Sequence, residues 1–185
     1  MQLYTLSILL GVVTMAKAVW ALAYPDKFRA SAKRIPRSTT LGYVTVAIGT
    51  AWFLYIFENE SLADFAAYKT LLRGGFILLA VLVCMFVKDY LAVRGMAIIL
   101  LLLAKSTVEM ARIVETDWRL LLVSIAYVWV VVGMWFTVSP WRARDLLEWA
   151  TANDGRIKTM AIARVGLAAL LLVLGLTVFR TSASP

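Results

Sequence analysis

The sequence predicts an all-α integral membrane protein, built as a bundle of six transmembrane helices. Two observations lead to this prediction. Hydrophobic residues make up 62% of the 185 residues and charged residues only 16%, too few to form a water-facing shell around one core. The apolar residues also gather in runs of roughly 20, the length that crosses a hydrocarbon core of about 30 Å. We expect a single transmembrane domain over residues 1–185.

Six apolar runs are predicted to span the membrane, and two short charged segments are predicted to lie on its surface. The spans are expected at residues 3–24, 39–57, 71–87, 90–110, 120–138 and 160–179. The surface helices are expected at 25–35 and 140–152, where apolar side chains alternate with charged ones. Pro25 and Pro140 suit the first turn of these helices. Asn153-Asp154-Gly155 is a turn signal that ends the second one.

The fourth run is strongly apolar and strongly charged at once. The stretch from Tyr90 to Ala104 has only about 15 residues, so a spanning helix must extend over Lys105, Glu109 and Arg112. Their spacings of four and three place these side chains on one helix face. Two interpretations follow. Either the helix ends here and the side chains reach the headgroups, or Glu109 faces the bundle interior and lines a polar vestibule open to the outside.

Three further charges are candidates for intramembrane or snorkelling positions. Lys17 lies about two-thirds of the way along the first span, and Arg94 lies in the first turns of the fourth. Asp89, next to Lys88, belongs to the connection between the third and fourth spans. Because this connection is so short, the two spans are predicted to form a tight antiparallel hairpin. A charge at such a depth either extends to the headgroups or meets a buried partner.

The distribution of basic residues predicts the orientation. The net charge is +8, and residues 25–38 hold five Lys or Arg against one Asp. Basic residues placed between apolar runs are typical of cytoplasmic loops on anionic headgroups, and not of nucleic-acid binding. With residues 25–38 inside, the positive-inside rule places both termini outside. We expect a bacterial cytoplasmic (inner) membrane, with the lipid bilayer and a protein partner or homo-oligomer as partners.

Two segments of the chain have similar sequences. Residues 43–49 and 127–133 both begin with Tyr, continue with Val-rich sequence and end with Gly, and a Trp-Phe pair follows each of them. If three spans were duplicated, the odd number would force the halves into opposite orientations, as in a 3+3 inverted repeat. Chance similarity between valine-rich helices is the alternative.

Residues that carry chemistry are scarce. The chain has no histidine and one cysteine, Cys84, so histidine-based metal sites and nucleophile pairs are excluded. We predict no catalytic, cofactor-binding or metal-binding residue and no cofactor, and we favour a non-enzymatic role. The main prediction is an accessory or scaffold subunit of a membrane complex. The alternative is a small transporter or channel that uses the face formed by Lys105, Glu109 and Arg112.

The predicted orientation can be tested by labelling single cysteines. In a Cys84→Ala background, a cysteine at Ser182 should react with an impermeant maleimide in intact cells, and a cysteine at Ser38 should not, because the positive-inside rule places Ser38 inside. Labelling at Ser38 alone would reverse the orientation.

Overall fold

Long helices dominate the computed structural model, which describes residues 2–61 and 63–181. Within these residues there is no strand, which confirms the all-α class. The α-helices are α1 (Leu3–Ala23), α2 (Pro25–Arg34), α3 (Thr39–Asn59), α4 (Lys69–Phe86), α5 (Leu91–Arg112), α6 (Arg119–Val138), α7 (Trp141–Ala150), α8 (Asp154–Leu176) and α9 (Val178–Thr181). Short 3₁₀ turns occupy Ile35–Arg37 and Ala63–Tyr68. The proposed labelling position Ser182 lies outside the described residues.

Six of these helices, α1, α3, α4, α5, α6 and α8, are long and apolar enough to cross a membrane. Their ends lie close to the predicted ones, except at the start of α8, which begins at Asp154 and not at Met160. Asn153 has extended backbone and precedes the helix, and Asp154 lies in the first turn, where a negative charge is favourable. The turn between α7 and α8 thus occupies residues 151–153, earlier than predicted, and Asp154 and Gly155 already belong to α8.

Helix α5 lies at the centre of the bundle. It packs along α3 on one side and along α6 on the other. Nine of its residues are buried, more than in any other helix of the part described; they are Leu91, Ala92, Val93, Gly95, Ala97, Leu102, Ala104, Thr107 and Ala111. Because many of them are small, both neighbours can approach the α5 backbone closely.

The contact between α3 and α5 depends on glycines. A Cβ added at Gly95 would lie 2.7 Å from Thr45 Cβ and 2.8 Å from the backbone nitrogen of Val46. A Cβ added at Gly42 would lie 2.8 Å from Leu91 Cβ. The Thr45 hydroxyl donates 2.8 Å to the carbonyl of Leu41 within its own helix, so its hydrogen bond is satisfied without a partner on α5. Each glycine therefore lets the side chain and the backbone of the partner helix come close, Thr45 against Gly95 and Leu91 against Gly42.

A second close pair is formed by α1 and α8. The buried hydroxyl of Ser7 donates 2.7 Å to the carbonyl of Leu171 across this pair. Gly11 lies against Leu172, and Gly175 lies against Ile8. Phe179 is fully buried in α9. It belongs to a core cluster together with Leu3, Ala111, Val114, Leu122, Leu171 and Leu174.

Helix α4 stands apart from the others, since none of its residues is buried. Its connection to α5 is short, as the sequence indicates, and turns at Tyr90, which adopts a left-handed conformation with φ 55°. The helices do not form the predicted tight hairpin, however, because α4 makes its main interhelical contact with α3. The face of α5 that could receive α4 is already occupied by α3 and α6.

The pairing of the helices gives no support to the 3+3 repeat. Such a repeat would equate α1, α3 and α4 with α5, α6 and α8. Helix α5 packs along α6, but α1 has no comparable contact with α3. The repeat therefore stays a prediction.

The close approach at Gly95 predicts a specific sensitivity to side-chain volume. Gly95→Ala should destabilise the bundle by about 1–3 kcal/mol, because the added methyl group overlaps the α3 backbone. Gly166→Ala is the matched control, since a Cβ there meets no atom within 4 Å and alanine is the better helix former. Thermal unfolding in detergent measures both. Equal melting temperatures would contradict the packing described.

Candidate functional site at the cleft between α3 and α4

Helices α3 and α4 diverge and leave a cleft of about 660 Å³ between them. Its lining is mostly apolar. Small side chains line its middle, and they are Ala47, Thr50, Ala51 and Ala80. Polar groups lie in the part of the cleft toward the α4–α5 connection, and they are Tyr43, Cys84 and Lys88. We call this side of the bundle the Lys88 end, and the opposite side the Lys105 end.

The cleft is closed at the Lys105 end by aromatic rings. The ring of Phe76 on α4 stands edge-on to Phe53 and Phe57 on α3, with centroids 4.8 and 5.5 Å apart. An ion pair joins the same two helices, since Arg73 Nη1 lies 3.1 Å from Glu58 Oε1. These contacts fix the first turns of α4 to the last turns of α3.

A second, smaller cavity of about 250 Å³ lies between the same two helices. It is lined from α3 by Val46 and Phe53, from α4 by Leu79 and Val83, and from α5 by Ile98. Helix α4 thus has unfilled space beside its contact with α3. Its position depends mainly on the aromatic and ionic contacts at its start.

At the Lys88 end, two adjacent charges lie free. Lys88 and Asp89 are both exposed, and neither forms an ion pair with any residue that the structure describes. Lys88 also lines the cleft. The cleft therefore offers one cation at its open end and apolar walls along its length.

The structure brings together two of the three residues of the predicted polar face. Lys105 Nζ lies 2.6 Å from Glu109 Oε1 and equally 2.6 Å from Glu60 Oε1. Arg112 is exposed and pairs with no carboxylate among the side chains that the structure describes. The side chain of Glu109 is 52% exposed, which agrees with a helix end at the surface and gives no support to an interior vestibule.

Sequence reasoning did not include Glu60 in this face. Glu60 directly follows α3, and only the packing of α3 along α5 brings its carboxylate to Lys105. The available signal was an acidic residue immediately beyond an apolar run. The Glu60 carboxyl accepts a hydrogen bond from Lys105, and this bond, aided by the lysine charge, holds the pKa of Glu60 below its usual range.

The other predicted charges occupy different places. Lys17 is exposed on α1. Arg94 lies against the end of α6, where its Nη1 donates 3.5 Å to the carbonyl of Thr137. The last carbonyls of a helix carry partial negative charge, so a guanidinium is favourable there. Neither residue is part of the cleft lining or of the Lys105 cluster.

The arrangement is a helical bundle with an open apolar cleft. Lys88 lies at one end of the cleft, and the ion pair of Arg73 and Glu58 lies at the other. Within the residues described, there is no group of three or more His, Cys, Asp or Glu side chains that could hold a metal ion. No protein-family model, curated protein sequence or solved structure matches the chain.

The Lys105 cluster predicts a pH-dependent stability. Because the pKa of Glu60 is lowered in the folded chain, its pair with Lys105 stabilises the fold above the unfolded-state pKa, and this contribution is lost as pH falls through the folded-state pKa. Glu60→Gln should therefore lower the melting temperature near neutral pH and have no effect in acid. Glu115→Gln, at an exposed carboxylate, is the control. A Glu60→Gln deficit that persists unchanged into acid would refute the assignment.

Proposed function

We propose that the chain is an integral membrane protein of the bacterial cytoplasmic membrane, with both termini outside, and that it is a non-catalytic accessory or scaffold subunit. In this proposal the cleft between α3 and α4 receives a transmembrane helix of a different protein. Six apolar helices and the basic residues of 25–38 support the membrane placement. The open cleft supports the role as a subunit.

The observation that carries the proposal is the isolation of α4. A lipid-facing helix normally has one face packed on its own bundle, yet α4 buries none of its residues. Within a bilayer there is little hydrophobic force between helices, so association depends on close packing. A helix placed in the cleft would supply the contacts that α4 lacks, since an unfilled gap forfeits dispersion energy.

The lining of the cleft favours a helix as the occupant. Ala47 and Ala51 lie four residues apart on α3, and Ala80 and Cys84 lie four apart on α4, so each pair shares one helix face. Small side chains at this spacing let a third backbone approach closely. Lys88 lines the open end of the cleft and Asp89 does not, so an acidic residue near the inner end of the arriving helix complements the lining.

A transport function has less support. The lining of the cleft does not include Lys105 or Glu109, and those two charges neutralise each other at the surface. An apolar cleft offers few groups to replace the water around an ion. The transporter or channel therefore stays the alternative prediction, to be tested by flux measurements in liposomes.

Site-specific photo-crosslinking tests the proposal. A photoreactive phenylalanine derivative at Ala80, inside the cleft, should yield one discrete protein adduct in native membranes. The same derivative at Val128, which is 59% exposed on α6, should yield lipid adducts only. An adduct at Ala80 with twice the mass of the chain would show that a second copy of the chain, and not a different protein, occupies the cleft. Lipid adducts alone at both positions would overturn the proposal.

Filling the cleft provides the matched functional control. Ala51→Phe should abolish the Ala80 adduct and the co-purification of the crosslinked partner, because the added ring occupies the space of the arriving helix. Val128→Phe should leave both unchanged. Melting temperatures in detergent establish that the two variants are equally folded. Undiminished co-purification with folded Ala51→Phe would place the partner elsewhere.

A further inference from the structure

A basic pocket lies at the Lys88 end of the bundle, between the two short charged helices α2 and α7. Its volume is about 500 Å³. It is lined by Arg29, Lys33 and Arg37 from one side and by Glu148, Thr151 and Ala152 from the other. We call it the α2–α7 pocket. It is separate from the cleft between α3 and α4, since the two share no lining residue.

The two walls of the α2–α7 pocket are held in place by Arg29. Its Nε donates 2.8 Å to the carbonyl of Thr151, and its Nη2 pairs with Asp154 at the start of α8. Helix α2 is also anchored on α1, because the rings of Phe28 and Trp20 meet edge-on with centroids 5.5 Å apart. The pocket is therefore a fixed feature of the fold and not a chance gap between two surface helices.

The charges in the pocket do not cancel. Arg29 is neutralised by Asp154. Lys33 and Arg37 are exposed and have no ion-pair partner in the described part of the chain. The carboxylate of Glu148 lies 4.0 Å from Arg144 Nε, so its charge is partly balanced from outside the pocket. Two free cations thus face one cavity that contains one carboxylate.

We infer that the α2–α7 pocket binds the phosphate of an anionic glycerophospholipid headgroup. The guanidinium of Arg37 matches two phosphate oxygens, and the Lys33 ammonium adds a point charge. The Glu148 carboxylate accepts a hydrogen bond from a headgroup hydroxyl, which favours a phosphatidylglycerol-type lipid. Basic pockets between helices on the cytoplasmic side of a membrane suit such headgroups. This inference rests on the proposed membrane placement, and not on the proposed partner helix.

A specific site differs from general attraction between a basic loop and an anionic leaflet. General attraction depends on the number of positive charges in the loop, wherever they lie. A site depends on the two cations that face the pocket. Helix α2 allows the two to be separated, because Lys27 and Arg34 carry equal charge on the same short segment and do not line the pocket.

The experiment compares two double variants of the full chain in detergent. Lys33→Gln with Arg37→Gln removes the pocket cations, and Lys27→Gln with Arg34→Gln removes the same charge outside it. Native mass spectrometry with added phosphatidylglycerol should show one lipid retained by the wild type and by the Lys27/Arg34 variant. The Lys33/Arg37 variant should bind it roughly tenfold or more weakly, with an unchanged melting temperature.

Three outcomes would overturn the inference. Equal losses in both double variants would mean general attraction. Equal retention of phosphatidylcholine by the wild type would mean no preference for an anionic headgroup. Displacement of the lipid by inorganic phosphate at similar concentration would mean a site for free phosphate. Because the assay uses purified chain, a missing partner helix leaves it unaffected, whereas extraction of the chain from membranes by alkaline carbonate would refute the membrane placement itself.

Discussion

The close contact between α3 and α5 is the constraint on which the rest of the bundle depends. Gly95 on α5 leaves room for Thr45 of α3, and Gly42 on α3 leaves room for Leu91 of α5, so the two helices approach closely. On its other side α5 receives α6, where Gly133 lies against Leu101. Since small-residue contacts are a main source of helix association in a bilayer, these glycines decide which helices are neighbours. They also place the charged end of α5 beside the end of α3, so that Lys105 pairs with Glu60.

The same constraint explains why α4 is isolated. Both long faces of α5 are occupied by α3 and α6, and α8 is occupied by α1. Helix α4 contacts α3, but the face of α3 that carries Gly42, Thr45 and Gly49 is already turned toward α5. The contact available to α4 is reduced to the aromatic cluster around Phe76. The open cleft thus follows from the use of the small-residue face of α3 by α5.

The sequence was sufficient for the helices but not for their pairing. Lengths of apolar runs predicted all six long helices, because crossing a hydrocarbon core sets a minimum length. Pairing could not be read from a polar stripe, since a helix that faces lipid is apolar on every side. The small residues of α3 indicated a close contact but not its partner. The role of Glu60 was not predicted for the same reason. Its salt bridge with Lys105 can be predicted only if α3 and α5 are known to be adjacent.

The cleft and the α2–α7 pocket both involve the start of α3, so whether they influence each other depends on whether that start can move. Arg37 lines the pocket and directly precedes Ser38, whose side chain caps α3 by accepting 3.2 Å from the backbone nitrogen of Leu41. Tyr43, one turn later, lines the cleft. Between them lies Gly42, where an added Cβ would be 2.8 Å from Leu91. Packing this close against α5 opposes a shift of the start of α3. We therefore expect the proposed lipid headgroup and the proposed partner helix to bind independently.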